Sequence, residues 1–170
     1  MNIWLCGFMG CGKTTVGGIL AERLNRRFID TDDYITQKTG MTIPLIFSSK
    51  GEAFFRERES ASIKELAEER GMIIACGGGA MLKKENAEAA KQSGVIIYID
   101  ADFEECYSRI ENDENRPIVT SNTKEALHEI YLSRVLLYRE NSSLTVSGQG
   151  TPEDIAERIN LNEQNIIIGA

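Results

Sequence analysis

Two rhythms of apolar and polar residues alternate along this 170-residue chain. Short apolar runs at 3–6, 27–29, 72–76, 95–99 and 144–146 have strand length and are bounded mostly by Gly, Asp or Ser, which predicts five strands. Between them apolar residues recur at helical spacing over 13–24, 33–39, 43–48, 52–69, 83–92, 102–110, 124–140 and 152–160. The segment 161–170 has no comparable period and receives no assignment. The run Val95-Ile96-Ile97-Tyr98-Ile99 is apolar at every position, as expected of a parallel strand covered by helices on both faces. The alternation therefore predicts an α/β fold of three layers.

No internal repeat, low-complexity tract or Pro/Ser-rich linker divides the chain, so residues 1–170 read as one domain, and 42% hydrophobic content is enough for a core. Nineteen Lys and Arg against 26 Asp and Glu leave a net charge of −7, which weighs against nucleic acid and anionic membranes as partners. An anionic ligand then needs a locally built site. The stretch 3–12, free of charged and strongly polar residues, falls far short of the ~20 residues that cross a bilayer, and no basic segment introduces a cleavable leader. A monomer in the cytosol acting on small molecules is expected. The four cysteines form no CxxC pair and His128 is the single histidine, so they read as thiols in a reducing compartment and not as a disulfide scaffold or zinc cluster.

Gly7-Phe8-Met9-Gly10-Cys11-Gly12-Lys13-Thr14 matches G-x-x-x-x-G-K-[ST] between the first predicted strand and an amphipathic helix. Glycines let backbone N–H groups curl around a phosphate, the helix N-terminus adds positive potential, Lys13 reaches the β- and γ-phosphates, and Thr14 offers a hydroxyl to Mg²⁺. A nucleoside triphosphate with magnesium is the expected ligand. The motif alone does not separate a kinase from a switch GTPase or a motor. The chain has no NKxD segment to read guanine and no DxxG switch, and its best buried strand ends in Gly77-Gly78-Gly79 where a motor would carry an acid.

Four further features bear on the choice. Asp30-Thr31-Asp32-Asp33 ends the second predicted strand, where carboxylates either line the ligand crevice or cap the next helix through Asp32 or Asp33. Gly77-Gly78-Gly79 either brings bare backbone with exposed amides close to another group or is a simple flexible turn. Arg56 and Arg134 lie on helices where most arginines are solvated, yet two guanidinium groups from distant segments suit a planar carboxylate. The polar stretch 111–123 contains Arg116-Pro117 and has the composition of a lid that excludes water and brings Arg116 to a transferring phosphoryl group.

Together, the segment from Gly7 to Thr15, Asp30-Thr31-Asp32, Phe55-Arg56-x-x-Glu59, Gly77-Gly78-Gly79-Ala80, Arg116-Pro117 and Arg134-x-x-x-Tyr138 resemble the shikimate kinase family in order and spacing over nearly the whole chain. The resemblance implies a fold similar to nucleoside monophosphate kinases: a five-stranded parallel sheet of order 2-3-1-4-5, a substrate-binding subdomain at 33–70 and a lid at 111–123. It also implies transfer of the γ-phosphate of ATP to the 3-hydroxyl of shikimate. Carried over by position, Asp32 would bind the shikimate hydroxyls and orient or deprotonate the attacking one. Arg56 and Arg134 would grip the carboxylate, Glu59 would buttress Arg56, and Gly78 and Gly79 would offer backbone amides. Asp30 and Thr14 would serve Mg²⁺, and Lys13 and Arg116 the transferring phosphoryl group, with Gly10, Cys11, Gly12, Thr14 and Thr15 completing the nucleotide site. The sequence departs from that pattern at Cys11, where many relatives have Ser or Ala, and in Gly148-Gln149-Gly150-Thr151-Pro152, which lacks an arginine and leaves Gln149 as the candidate for adenine. A thiol at a helix N-terminus beside Lys13 sits in an activating setting, so alkylation of Cys11 is expected to inactivate, with protection by ATP. The rival readings are a gluconate or nucleoside monophosphate kinase and a catalytically silent binding module.

Overall fold

A computed structural model describes residues 1–113 and 116–168, with side chains as far as Asn162. Five parallel strands, β1 Asn2–Cys6, β2 Arg27–Asp30, β3 Met72–Ala75, β4 Gly94–Asp100 and β5 Leu144–Ser147, form one sheet in the order β2-β3-β1-β4-β5. Eight helices connect and cover it among the described residues: α1 Lys13–Leu24, α2 Thr31–Thr39, α3 Ile43–Glu68, α4 Lys84–Ser93, α5 Phe103–Ile110, α6 Pro117–Thr120, α7 Lys124–Asn141 and α8 Pro152–Ile168.

Strand alternation fixes which helix covers which face. Leu5 of β1 packs toward Gly17 of α1, while its neighbour Trp4 turns the other way and donates its indole N–H to Ser93 of α4 at 3.0 Å. The central β1 is buried at every position, as a strand between two helical layers must be. Asn2, at its start, is also buried: its side chain donates to the Glu69 carbonyl at 2.9 Å and accepts from the Met72 N–H at 3.0 Å, tying α3 to the sheet. Chain reversal in strand order on either side of β1 opens the crevice at the carboxyl ends of the strands, the place where doubly wound sheets bind ligands.

Several boundaries differ from the sequence reading. The segments 43–48 and 52–69 form a single element, interrupted at Gly51, whose φ of 82° and ψ of 168° are not helical. Helix α2 begins at Thr31 because Asp30 caps it, its Oδ1 accepting from the Asp32 N–H at 3.0 Å, so the cap falls to Asp30 and not to Asp32 or Asp33. Helix α8 runs on to Ile168. Helices α2 and α3 enclose a small core of their own, Ile35, Ile46 and Phe55, apart from the main one. The stretch 111–123 holds the short α6, and its positions 114 and 115 lie outside the described residues. No described helix is long and apolar enough to cross a membrane.

Candidate active site

The loop after β1 is shaped by backbone that only glycine adopts without strain: φ is 81° at Gly10 and 96° at Gly12. Helix α1 then starts with no side-chain cap and no acidic residue in its first turn, leaving its N–H groups and positive dipole end to an anion. Lys13 is buried, its ammonium donating to the Gly7 and Phe8 carbonyls at 2.9 Å each. A polar cavity of about 270 Å³ opens over this loop, lined by Gly10, Gly12, Lys13, Thr14 and Thr15 and, across it, by Asp30 and Asp32.

Asp30 serves both roles the sequence left open. Its Oδ1 caps α2, and its Oδ2 accepts from the Thr14 hydroxyl at 2.7 Å. Two oxygens side by side in the phosphate cavity fit a hard divalent cation, which takes one or two protein oxygens and completes its shell with phosphate and water. Asp32, two residues further, lines the same cavity, and its Oδ1 is buried with no hydrogen-bond partner among the described residues. Burial raises its pKa above the ordinary aspartate value, the neighbouring Asp30 carboxylate adds to that, and Lys13, Arg116 and Arg56 oppose it.

A second cavity, about 220 Å³, lies between α3, the glycine triplet and α7. Ile43, Phe47, Phe55, Pro117 and Ile118 give it apolar walls, and Arg56, Arg134, Asp32 and Glu59 its charges. Arg56 is held from its own helix, with Nη1 donating to Glu59 Oε2 at 2.9 Å and Nη2 to Glu52 Oε1 at 3.1 Å. Glu59 is 1% exposed, so it does buttress Arg56, yet its other oxygen, Oε1, has no partner. Burial raises the Glu59 carboxyl, against the pull of Arg56. The triplet has no room for side chains here: a Cβ on Gly79 would overlap the Arg56 guanidinium, and one on Gly77 would press on Asp32 Oδ1 at 2.7 Å and Glu59 Oε1 at 3.0 Å. Arg134 Nη1 is a third buried atom without a partner. Two acceptors and one donor thus stand unpaired around one space, a pattern that a ligand with hydroxyls and a carboxylate completes.

The two cavities meet. Asp32, Gly77, Gly78, Asp113 and Arg116 line both, so the structure brings the predicted base and the predicted lid arginine to the junction. Arg116 is held there by Asp113, Nε to Oδ2 at 2.8 Å. Sequence reasoning missed Asp113 and also Arg109, which lines the phosphate cavity and donates to the Gly10 carbonyl at 3.0 Å. Neither belongs to a motif; each is one charge among many on a polar segment. Gln149 lines neither cavity and lies exposed on the loop after β5, its carbonyl held by Arg158 Nη1 at 2.7 Å.

Cys11 requires a correction. Its side chain is fully buried, with Sγ 3.6 Å from Lys13 Nζ, and its N–H donates to the Phe8 carbonyl at 3.2 Å. Closing the loop on itself turns the side chain inward, out of reach of a reagent. Cys6, Cys76 and Cys106 are likewise free and buried, and burial pushes the Cys106 thiol up to about 12. Iodoacetamide is therefore expected to label none of the four in the native protein during the time in which the denatured chain labels at all of them; rapid alkylation with loss of activity would contradict this placement.

Comparison with known proteins places this geometry. The shikimate kinase family model matches residues 9–162. A shikimate kinase of Acinetobacter baumannii (strain AYE) is 42% identical over 160 residues, 93% of this chain and 89% of the relative. One from Thiobacillus denitrificans is 44% identical over 146 residues, 85% and 80% of the two chains. Among solved structures, the Acinetobacter baumannii shikimate kinase in complex with shikimate matches with a TM-score of 0.91 at 41% identity, covering 96% of this chain and 93% of that one. The Aquifex aeolicus shikimate kinase matches over the full length of both chains with a TM-score of 0.88 at 33% identity. A sugar kinase from Janibacter, at 17% identity and a TM-score of 0.60, shares the fold alone. With a family model spanning nearly all of its length and relatives above 40% identity, the chain belongs to the shikimate kinase family.

Proposed function

We propose that the protein transfers the γ-phosphoryl group of ATP to the 3-hydroxyl of shikimate, with the acceptor in the Arg56–Arg134 cavity and the triphosphate on the loop of Gly10 to Thr15. Membership of the family makes it an ATP-dependent phosphotransferase. The observation that carries the residue assignment is the shared wall: Asp32 and Arg116 face both cavities, so a hydroxyl in one and a phosphate in the other would meet between them. Arg56 and Arg134 take the carboxylate, the only anionic group of the acceptor, while the apolar walls pack against its ring. Asp32 accepts the hydrogen bond of the attacking hydroxyl and takes its proton as the new O–P bond forms and the bond to ADP breaks. Phosphoryl transfer asks for positioning and charge neutralisation more than for a strong base, and Lys13 and Arg116 supply positive charge on either side of the transferring group. Thr14 and Asp30 would hold Mg²⁺, which when bound neutralises phosphate charge. The stretch 33–70 acts as the acceptor-binding subdomain and 111–123 as the lid that carries Arg116. The enzyme acts as a monomer in the cytosol.

Release of ADP measured against shikimate, gluconate and nucleoside monophosphates tests the reading. Turnover with shikimate and none with the others is expected. Turnover with gluconate or a nucleotide in its place contradicts the acceptor assignment, and tight ATP binding with no shikimate-dependent ADP release marks a silent module.

Asp32 also links pH to stability. Its carboxyl titrates above the ordinary value when folded, so the ionised form disfavours the fold at neutral pH, and that cost disappears once pH falls below the unfolded aspartate range. Asp32→Asn is thus expected to raise Tm by a few degrees at pH 7 while removing most activity, and the gain should vanish toward pH 3. Thermal melts across pH check it; an Asn variant less stable at pH 7 contradicts it.

A further inference from the structure

One residue of the motif Arg134-x-x-x-Tyr138 has no part in the chemistry above. Tyr138 is 1% exposed and stacks on Tyr98 of β4 with ring centroids 5.3 Å apart, and its hydroxyl donates to the carbonyl of Gly78. The Gly78 carbonyl belongs to the central peptide of a tight turn, in which the Ala80 N–H donates to the Gly77 carbonyl at 3.0 Å. Gly79, at the third position, has φ −101° and ψ −12°, the values of a type I turn. A type II turn closes the same hydrogen bond with the central peptide rotated by half a turn and needs φ near +80° at that third position, which glycine alone adopts freely. With glycine on both sides of the central peptide, both forms are sterically open to this turn.

We propose that Tyr138 is a positioning residue of the acceptor site: its hydroxyl holds the peptide between Gly78 and Gly79 in the type I orientation and so aims the Gly79 N–H. A trans peptide is planar, with N–H and C=O on opposite edges, so fixing the carbonyl on the α7 side directs the N–H the other way. Gly79 lines the acceptor cavity, and Arg134 stands one turn before Tyr138 on the same helix. Helix α7 thereby sets two acceptor contacts at once, a guanidinium directly and a backbone amide through Tyr138. Carbonyls at and just after the end of the turn are held separately: Asn86 Nδ2 donates to Ala80 at 2.9 Å and Asn141 Nδ2 to Met81 at 2.8 Å. These bonds brace the loop without touching the central peptide. The inference rests on the acceptor reading given above.

The test compares Tyr138→Phe, which keeps the stacked ring, with Asn141→Ala as a bracing control. Tyr138→Phe is expected to raise the shikimate KM about ten-fold, the scale of one hydrogen bond, with the ATP KM within two-fold of wild type. In ¹⁵N spectra of the free protein its Gly79 amide should shift or broaden by exchange. Asn141→Ala is expected to lower Tm without moving the shikimate KM. A Tyr138→Phe enzyme with an unchanged shikimate KM and Gly79 resonance overturns the proposal, as does an equal KM rise in both variants, which marks general loosening. Wild-type protein inert toward shikimate would defeat the acceptor reading instead, and the Gly79 resonance, recorded without substrate, still judges the latch.

Discussion

Replacing Lys13 by alanine is expected to lower shikimate turnover about 10³-fold or more, the scale of removing one preorganised cation from a phosphoryl-transfer site. The ammonium group already lies inside the loop, held by the Gly7 and Phe8 carbonyls. Its hydrogen bonds there go to backbone carbonyls and α1 has no acidic residue in its first turn, so a phosphate arriving at the helix N-terminus meets a buried ammonium, with Asp30 and Asp32 across the cavity. Shikimate affinity should stay within a few-fold, because Lys13 lines the phosphate cavity and not the acceptor cavity. Steady-state kinetics and shikimate titration of the folded variant check both halves. A Lys13→Ala enzyme with more than a tenth of wild-type turnover contradicts the assignment of the transfer site.

The two arginines of the acceptor cavity should separate affinity from stability. Loss of either removes a charge-assisted partner of the shikimate carboxylate, a loss of roughly 2–5 kcal/mol and hence tens to thousands-fold in binding. Their surroundings differ. Arg56 neutralises Glu59, which is buried, so Arg56→Ala strands a carboxylate and should also destabilise the fold by about 1–3 kcal/mol, limited by Glu59 taking up a proton. Arg134 carries an unpartnered buried Nη1, and its charge acts on Glu59 less strongly than that of Arg56, so its removal leaves the Arg56–Glu59 ion pair in place. Arg134→Ala is thus expected to lose shikimate binding with Tm unchanged or raised, whereas Arg56→Ala loses both. Calorimetric titration and thermal melts of the two variants decide the point, and normal shikimate binding by either breaks the clamp.

The contrast between these arginines shows what a sequence yields and what it withholds. The phosphate loop was legible because backbone conformation dictates its residues: positions with φ of 81° and 96° demand glycine, and the lysine and threonine follow at fixed offsets. The strand order came with the family resemblance, and the sheet has it. Two features were legible only as alternatives. Asp30 turned out to be both helix cap and partner of Thr14, since a carboxylate has two oxygens and each found its own donor. The triplet is a tight turn that Arg56, Asp32 and Glu59 crowd from α3 and α2, leaving no room for side chains.

Arg109 and Asp113 stayed hidden for a physical reason. Each is one charged residue in a polar segment, and only the folding of α5 over the phosphate loop gives it a target. Cys11 misled for the complementary reason: proximity to a lysine in sequence says nothing about which way a side chain turns when the loop closes with a hydrogen bond from its N–H to Phe8. The helical extension to Ile168 was equally unreadable, three of the six residues from Asn160 to Asn165 being asparagine, a weak helix former.

The acidic total of −7 acquires a local meaning from the same geometry. Lys13, Arg56, Arg109, Arg116 and Arg134 line the two joined cavities against Asp30, Asp32, Glu59 and Asp113, so the acidic excess of the chain lies outside them. Two anionic substrates are drawn to one mouth on a chain that otherwise repels them.

The most direct test of this arrangement is the structure of the protein with ADP and shikimate bound. The account predicts the carboxylate between Arg56 and Arg134, the 3-hydroxyl on Asp32, and the β-phosphate on the amides of the Gly10 to Thr15 loop. A carboxylate seated away from both arginines, or a hydroxyl other than the third on Asp32, would contradict it.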